Sequence, residues 1–314
     1  MSLPTPPEEK QTELGFSPSQ GANWTDYLAY RPLYPPSFYA RIYAYHATKP
    51  LASWTHAHDI GTGCGIVASS LASRFAHVTA SDPNDGYIDI ARRMLLRYHR
   101  HPGVSETENK FTFLQERGER SWLGSGTVDL ASVCESVHWM DTRAVIGEAG
   151  RELKVGGTLV LSHYTFPRIM GNDRAQRVWE EIRAVWVSRM CVGDLLDRAV
   201  RVVNMAYEGL EFPPEEWERV QRVYVNSGGS LEAFKMDERV GERRVGEGEE
   251  IVWVEDDEDW CDSQGINWFK GYMATWVPCV PESDMKGLWD EMESALDGKV
   301  GFQIPLVMTL ATKK

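Results

Sequence analysis

The segment HDIGTGCGI, residues 58–66, holds the residue types and spacing that most clearly predict chemistry. It contains three glycines at alternate positions: Gly61, Gly63 and Gly65. A glycine turn after a strand lets the backbone approach a bound ligand, although tight turns also use glycine without any ligand. The dinucleotide fingerprint GxGxxG would need glycine where Ile66 stands. Asp59 precedes the turn, and its charge would repel a desolvated phosphate and favour a cationic ligand.

A second acid, Asp82, follows the next predicted strand. A carboxylate about 20 residues after a glycine turn can accept hydrogen bonds from both hydroxyls of a ribose. The expected ligand therefore carries a ribose and a positive charge, and has no phosphate beside the turn. S-adenosylmethionine meets all three conditions.

The elements that must position these acids alternate between strand-like and helix-like segments. Strands are predicted to end near residue 60 and to span 77–81, 111–114, 128–133 and 158–162. Parallel strands need crossover connections, and the intervening segments have helical apolar spacing. The sequence therefore predicts an α/β fold with a doubly wound, mostly parallel sheet.

The rest of the chain is predicted to surround this sheet. The expected organisation is a disordered tail over 1–20 and one domain over 21–314, with N-terminal helices over 21–50 and a helical lid insertion over 166–230. The insertion includes a helix predicted over 215–224. Strands are predicted at 250–254 and 303–311.

Composition limits the possible partners and compartment. A formal net charge of −13 disfavours a nucleic-acid partner. The five cysteines lie far apart, which indicates neither disulfides nor a metal site. No apolar leader or membrane-length run is visible. We expect a cytoplasmic monomer or weak homodimer that acts on a small molecule, without a membrane partner.

Several motifs resemble a known family. The segment 57–66, followed by Ala-Ser-Asp-Pro at 80–83, resembles motif I and its successor in the class I S-adenosylmethionine-dependent methyltransferases. The stretches 30–35 (YRPLYP), 135–141 (ESVHWMD) and 271–276 (GYMATW) resemble the trans-aconitate methyltransferase-like branch common in fungi. The resemblance spans roughly residues 20 to 314.

The resemblance implies a seven-stranded sheet with S-adenosylmethionine bound at its edge. The last strand is expected to be antiparallel and inserted beside the fifth, with strand 250–254 completing the sheet and 166–230 covering the donor. The implied donor-binding residues are Tyr30, Arg31, Asp59, Gly61, Gly63, Gly65, Asp82, Gly118, Glu119 and Cys134. Within this set, Asp82 is expected at the ribose, Gly118 and Glu119 at the adenine, and Arg31 at the donor carboxylate.

Methyl transfer from a sulfonium is an in-line displacement, so a general base is needed only when the acceptor is a hydroxyl. His138, after the fourth strand, is the first candidate base, and packing against Trp139 is its structural alternative. His163 is the second candidate. The predicted acceptor-binding residues are Trp24, Tyr27, Trp139, Tyr164, Tyr272 and Trp276; for such aromatic side chains, ordinary core packing is the alternative.

The predicted function is methyl transfer to oxygen or sulfur of a small molecule, either a carboxylic acid or a secondary metabolite. Two alternatives stay open on the sequence alone. One is a methyltransferase fold that binds the donor without transferring methyl. The other is an NAD(P)-dependent dehydrogenase, which Ile66 and Asp59 disfavour.

Overall fold

The computed structural model describes residues 16, 22–50, 52–84, 86–98, 110–190 and 194–314. Apart from Phe16, the tail predicted over 1–20 lies outside these residues. The helices are α1 Trp24–Tyr30, α2 Pro36–Ala47, α3 Ile66–Leu71, α4 Tyr87–Tyr98, α5 Thr142–Glu152, α6 Asp173–Arg189, α7 Asp194–Asn204, α8 Ile266–Ala274 and α9 Lys286–Leu296. The strands are β1 His56–Ile60, β2 His77–Ser81, β3 Phe111–Leu114, β4 Val128–Cys134, β5 Leu153–Tyr164, β6 Arg168–Ile169, β7 Trp217–Val225, β8 Glu250–Val254, β9 Cys261–Gln264, β10 Val300–Gln303 and β11 Leu306–Lys313.

The main sheet has eight strands among the described residues, in the order β3-β2-β1-β4-β5-β11-β7-β8. Strands β1 to β5 are parallel to one another. Strand β11 is antiparallel to both β5 and β7. The predicted doubly wound fold and the antiparallel last strand beside the fifth are therefore confirmed, with eight strands where seven were predicted.

Two buried apolar clusters cover the two faces of this sheet. Alternate strand residues point to opposite faces, and Leu130 belongs to one cluster while its neighbour Ala131 belongs to the other. The first cluster takes in α2, α3 and α6, and the second takes in α5. Strand β4 is buried along its whole length, which explains its almost continuous apolar sequence.

The prediction of a helix over 215–224, within the lid 166–230, is wrong. This segment is mostly strand β7, which pairs with β11 on one side and β8 on the other. One extra β7 residue lies opposite β11 between Leu310 and Thr312, where Arg219 has a φ of 52°. This bulge spaces the buried Trp217 and Val220 three residues apart, which imitates a helical period. Strand 250–254 consequently lies at the edge of the sheet.

The helical cover over the carboxyl edge of the sheet comes from distant parts of the chain. Helix α1 packs against α8, and α6 packs against α9. A second sheet, β6-β10-β9, lies beside these helices. None of the helices within the described residues combines the length and apolar character needed to cross a bilayer.

Candidate active site

A cleft lies where β1, β2, β4 and β5 end, beneath α1 and α7. This is the edge at which doubly wound sheets bind their ligands. The space between its atoms, counted together with the open solvent at its mouth, is about 1380 Å³.

The carboxylate of Asp59 holds the glycine turn in place through hydrogen bonds. It accepts hydrogen bonds from Thr62 Oγ1 at 2.7 Å, Ala68 N at 3.1 Å and Ser132 Oγ at 2.8 Å. Burial raises the pKa of this carboxyl group, while these three donors act in the opposite direction. Asp59 lines the cleft, and its first role is to fix the turn to the start of α3.

The three glycines have different roles. Gly61 and Gly63 line the cleft. Gly65 does not; it caps α3 in a left-handed conformation with a φ of 89°, and it packs against Leu95. The indole of Trp24 lies directly over the turn, because a Cβ built on Gly63 would be 2.5 Å from Trp24 Cη2.

Asp82 is the second acid of the cleft wall. Its Oδ2 accepts a hydrogen bond from Gly63 N at 3.0 Å, and its Oδ1 accepts one from Asn84 N at 2.9 Å. A carboxylate oxygen can accept two hydrogen bonds, so each oxygen can accept one ligand hydroxyl. Burial raises the pKa of Asp82 to about 6.

The segment after β3 forms another part of the wall. Gly118 lines the cleft, and a Cβ at this position would be 2.7 Å from Ile60 Cγ2. Glu119 also lines the cleft, and its Oε1 accepts a hydrogen bond from Asp141 N at 3.0 Å. Cys134 ends β4, and burial raises the pKa of its thiol, so it stays protonated at neutral pH.

Arg31 supplies the permanent positive charge of the described cleft lining. Its guanidinium donates from Nε to Thr275 Oγ1 at 2.6 Å and from Nη2 to Thr275 O at 3.3 Å. It lies 4.1 Å from the ring centre of Trp276. Burial raises the pKa of the neighbouring Tyr27 to about 12, so this hydroxyl stays neutral. No ion pair of Arg31 is found among the described residues.

His138 is held in one tautomer by Tyr207. The Tyr207 hydroxyl lies 3.1 Å from Ser162 O, which can only accept, and 3.2 Å from His138 Nδ1. Both contacts are attractive only if Tyr207 donates to the carbonyl and accepts from Nδ1–H. Burial, followed by nearby His163 and Arg31, lowers the pKa of His138 well below its ordinary value. His138 is therefore a neutral imidazole that lines the cleft.

His163 lies beside His138, with 5.3 Å between the ring centres. Its Nδ1 is 3.2 Å from Glu135 Oε2, and Glu135 Oε1 accepts a hydrogen bond from Tyr164 N at 2.5 Å. The sequence prediction did not include Glu135 as a site residue. The sequence feature that could have indicated Glu135 is its position directly after β4. In the structure its backbone is left-handed, with a φ of 54°, at the point where the chain leaves this strand.

Apolar side chains form a large part of the cleft lining. They come from α6, α7 and the segments around 236 and 276, and they are Trp186, Met190, Leu196, Ala199, Val200, Val203, Met236, Trp276 and Val277. Trp24, Tyr27 and Trp139 also line the cleft. Four predicted acceptor-binding aromatics thus lie at the cleft.

Three predicted tyrosines do not line it. Tyr30 packs on Gly271, where a Cβ would be 2.4 Å from its ring. Tyr164 is fully buried, and its hydroxyl lies 3.2 Å from that of Tyr27. Tyr272 is also fully buried and donates to Thr165 O at 3.4 Å. These rings pack behind the cleft wall, because burying a large aromatic surface stabilises the contact between α1, β5 and α8.

The charges of the cleft fit a cationic nucleoside better than a pyrophosphate. Four described carboxylates line it, namely Asp59, Asp82, Glu119 and Glu135, and Arg31 is the one guanidinium or ammonium group in that lining. The glycine turn itself carries no basic side chain. A doubly wound sheet, a glycine turn and a free acceptor position on each Asp82 oxygen together define a class I S-adenosylmethionine-dependent methyltransferase.

Comparisons with known proteins agree with this class. A family described as "Methyltransferase domain" matches residues 58–161. The chain is 30% identical to methyltransferase cfoB of Aspergillus candidus, covering 95% of this chain and 97% of that protein. It is 28% identical to methyltransferase gedG of Aspergillus terreus, covering 92% and 91%. The chain belongs to the S-adenosylmethionine-dependent methyltransferases, and S-adenosylmethionine is its methyl donor.

A solved structure supports the fold alone. The structure, described as a "Putative Type II Methyltransferase from Anaeromyxobacter dehalogenans", superposes with a TM-score of 0.57 at 19% identity, covering 90% of this chain and 97% of that one. The similarity of fold therefore includes the sheet and almost all the rest of the chain.

Proposed function

We propose that this enzyme transfers the methyl group to an oxygen, or a sulfur, of a small and partly apolar molecule. The observation that carries this proposal is that the cleft lining combines two kinds of side chain. The acids and glycines suit the donor, and the lining also contains apolar side chains of α6 and α7 and two histidines. An acceptor bound against the apolar side chains would share the cleft with both imidazoles.

Each polar group that suits the donor has a proposed role in binding it. Asp82 would accept hydrogen bonds from the ribose hydroxyls, and Gly61 and Gly63 would pass along the methionine part. Gly118 and Glu119 would lie beside the adenine. Arg31, a buried cation facing the cleft, would pair with the donor carboxylate, because a buried charge without a counter-ion is costly.

S-adenosylmethionine supplies a methyl group that is already activated by the sulfonium. The protein therefore has to align the acceptor and exclude water, which can contribute roughly 7–11 kcal/mol to lowering the barrier. Trp24 over the glycine turn and the side chains of α7 perform this task by covering the cleft.

The acceptor class follows from the lining and from the relatives. The apolar side chains of the cleft favour a molecule with a sizeable apolar body. A secondary metabolite or a carboxylic acid fits this requirement, and the fungal origin of the similar methyltransferases agrees with a secondary metabolite. Since the cleft is acidic overall, the reacting group is better suited to a neutral hydroxyl or thiol than to a strongly anionic polyacid.

The proposal is tested with donor labelled in its methyl group and a panel of phenols, aliphatic alcohols, thiols and carboxylic acids. We expect label in a phenol or thiol, with release of S-adenosylhomocysteine. Replacing Val200, one of the apolar side chains of the lining, by Glu should raise KM for that acceptor without changing the affinity for the donor. Donor binding without transfer to any compound of the panel or of a fungal extract would contradict the proposal.

A further inference from the structure

We propose that Glu135 and His163 form the proton-accepting pair of this site, with His163 as the catalytic base and Glu135 as its positioning residue. This inference rests on the proposed transfer to a hydroxyl. It assigns the proton to His163 and not to His138, although His138 is the first candidate from sequence position.

The hydrogen bonds of the pair fix the orientation of the imidazole. An ionised carboxylate can only accept, so His163 Nδ1 carries the hydrogen that points to Glu135 Oε2. Nε2 then holds the free lone pair. His163 is 2% exposed and lines the cleft, and Nε2 is a buried atom for which the described residues provide no partner. A buried polar atom without a partner is rare in folded proteins, and a catalytic role is one explanation for it.

Glu135 is itself held in place. Its second oxygen accepts the backbone N–H of Tyr164, the residue next to His163, so the carboxylate bridges β4 and β5. Its left-handed backbone is unusual for a residue with a side chain, and such strain is retained where the surroundings require it. The carboxylate can therefore stabilise an imidazolium at His163 without any rearrangement.

His138 lacks this support. Its Nδ1 faces the neutral Tyr207 hydroxyl, and no carboxylate of the described residues is hydrogen-bonded to the ring. The groups that act on it, His163 and Arg31, oppose a second positive charge, and burial lowers its pKa well below the ordinary range. His138 is thus suited to orient an acceptor and not to carry its proton. The groups facing His163 are Glu135, His138 and the ring of Tyr207, 5.9 Å away.

The proposed reaction is a displacement at the methyl carbon of the donor. The acceptor oxygen forms a bond to the methyl carbon while the carbon–sulfur bond breaks and its electron pair stays on sulfur. The hydroxyl proton passes to His163 Nε2, giving an imidazolium paired with Glu135. Release of this proton to water restores the pair.

The first test does not depend on turnover. In protein labelled with ¹⁵N histidine, His163 should be the Nδ1–H tautomer at high pH. Glu135→Gln keeps an acceptor for Tyr164 N but replaces the charged acceptor of His163 Nδ1–H by a neutral amide oxygen, so this hydrogen bond should weaken and the Nδ1–H proton resonance should move upfield. Glu216→Gln, which removes an exposed carboxylate next to β7, should leave that resonance unchanged. An unchanged His163 Nδ1–H resonance in Glu135→Gln would overturn the pairing.

The second test uses a hydroxyl acceptor found with the labelled donor. His163→Gln should lower kcat by about 10²–10⁴-fold and Glu135→Gln by about tenfold or more, both with unchanged donor affinity in calorimetry. His138→Gln should change kcat by less than about tenfold and act mainly on KM. The assignment is overturned if His138→Gln causes the larger loss of kcat, or if only thiols and carboxylates are methylated. A wild type that does not bind the donor would instead contradict the proposed function.

Discussion

At the level of single residues, the site depends on how burial and hydrogen bonding affect the pKa values of Asp59 and Asp82. Asp59 accepts hydrogen bonds from Thr62 and Ala68 beside the turn and from Ser132 on β4, so it acts mainly on the fold of the turn. Asp82 keeps an acceptor position on each oxygen and is the residue that can respond to a ligand. The two acids that the sequence grouped together thus have separate roles.

The raised pKa of Asp82 predicts a pH-dependent affinity for the donor. Burial raises this pKa to about 6, above the ordinary value of 3.8, so the ligand-free protein takes up a proton as the pH falls through about 6. Only the ionised form accepts hydrogen bonds from two hydroxyls through both oxygens. Affinity for S-adenosylhomocysteine, measured by calorimetry, should be constant above pH 7 and fall up to about tenfold per pH unit below 6.

The Asp82→Asn variant is the control for this predicted pH dependence. The amide cannot titrate, so its weaker affinity should vary much less between pH 5 and pH 7. An unchanged pH dependence in this variant would show that another group controls binding.

Most of the residues that the sequence predicts to bind the donor line the cleft, and the sequence also indicated His163 as the second candidate base, but it did not indicate Glu135. The glycine turn and Asp82 come directly after strands of a regular pattern, whereas Gly118 and Cys134 were indicated by the family resemblance. Glu135 also follows a strand, but its contact with His163 joins two strands, and no local pattern encodes it. Tyr164 and Tyr272, which the sequence assigned to the acceptor, lie behind the cleft lining. The residue type alone does not distinguish a buried aromatic wall from a ligand surface.

At the scale of elements, the turn between β1 and α3 shows why glycine is required at one position. Gly63 has a φ of 55°, and a Cβ there would lie 2.5 Å from Trp24 Cη2. Gly63→Ala should therefore displace Trp24 and destabilise the fold by about 1–2 kcal/mol. Donor affinity should fall with it, because the indole covers the turn. Chemical unfolding and calorimetry measure the two effects.

Gly147→Ala is the matched control for this change. Gly147 lies on the exposed side of α5, and nothing lies within 4 Å of the added Cβ. Alanine should stabilise that helix by about 0.5–1 kcal/mol and leave donor binding unchanged. Equal stability and affinity in Gly63→Ala and wild type would contradict the role given to the turn.

The element that sequence patterns could not predict is β7. Its bulge at Arg219 separates the buried Trp217 and Val220 by three residues, and this spacing is typical of a helix. The pairing with β11 that makes it a strand joins residues about 90 positions apart. Strands β1 to β5 were predictable because each lies close in sequence to the helix that packs on it.

At the scale of the whole molecule, the cleft is complete only when the N-terminal helices meet α8. Arg31 at the end of α1 donates from Nε to Thr275 Oγ1 at 2.6 Å, and Tyr27 contacts Tyr164 on β5. These contacts join segments that are more than 100 residues apart in the chain. They hold the only guanidinium of the described cleft lining in place.

The Thr275→Val variant tests the contact between Arg31 and Thr275 with a change that keeps the shape of the side chain. The variant leaves the buried Arg31 Nε–H without its acceptor, which should cost about 1–3 kcal/mol in the free energy of unfolding. It should also weaken donor binding, because Arg31 loses its fixed position. Thr127→Val, at an exposed site, should change stability by less than about 0.5 kcal/mol. Equal unfolding free energies in the two variants would count against the role of this contact.

We infer that the acids of the cleft select a positively charged nucleoside from which a methyl group is taken. The decisive experiment is calorimetric titration of the wild-type protein with S-adenosylmethionine, S-adenosylhomocysteine and NADH. We expect saturable heat with both sulfur nucleosides and none with NADH. Tight binding of NADH, with no heat from either of the other two, would contradict it.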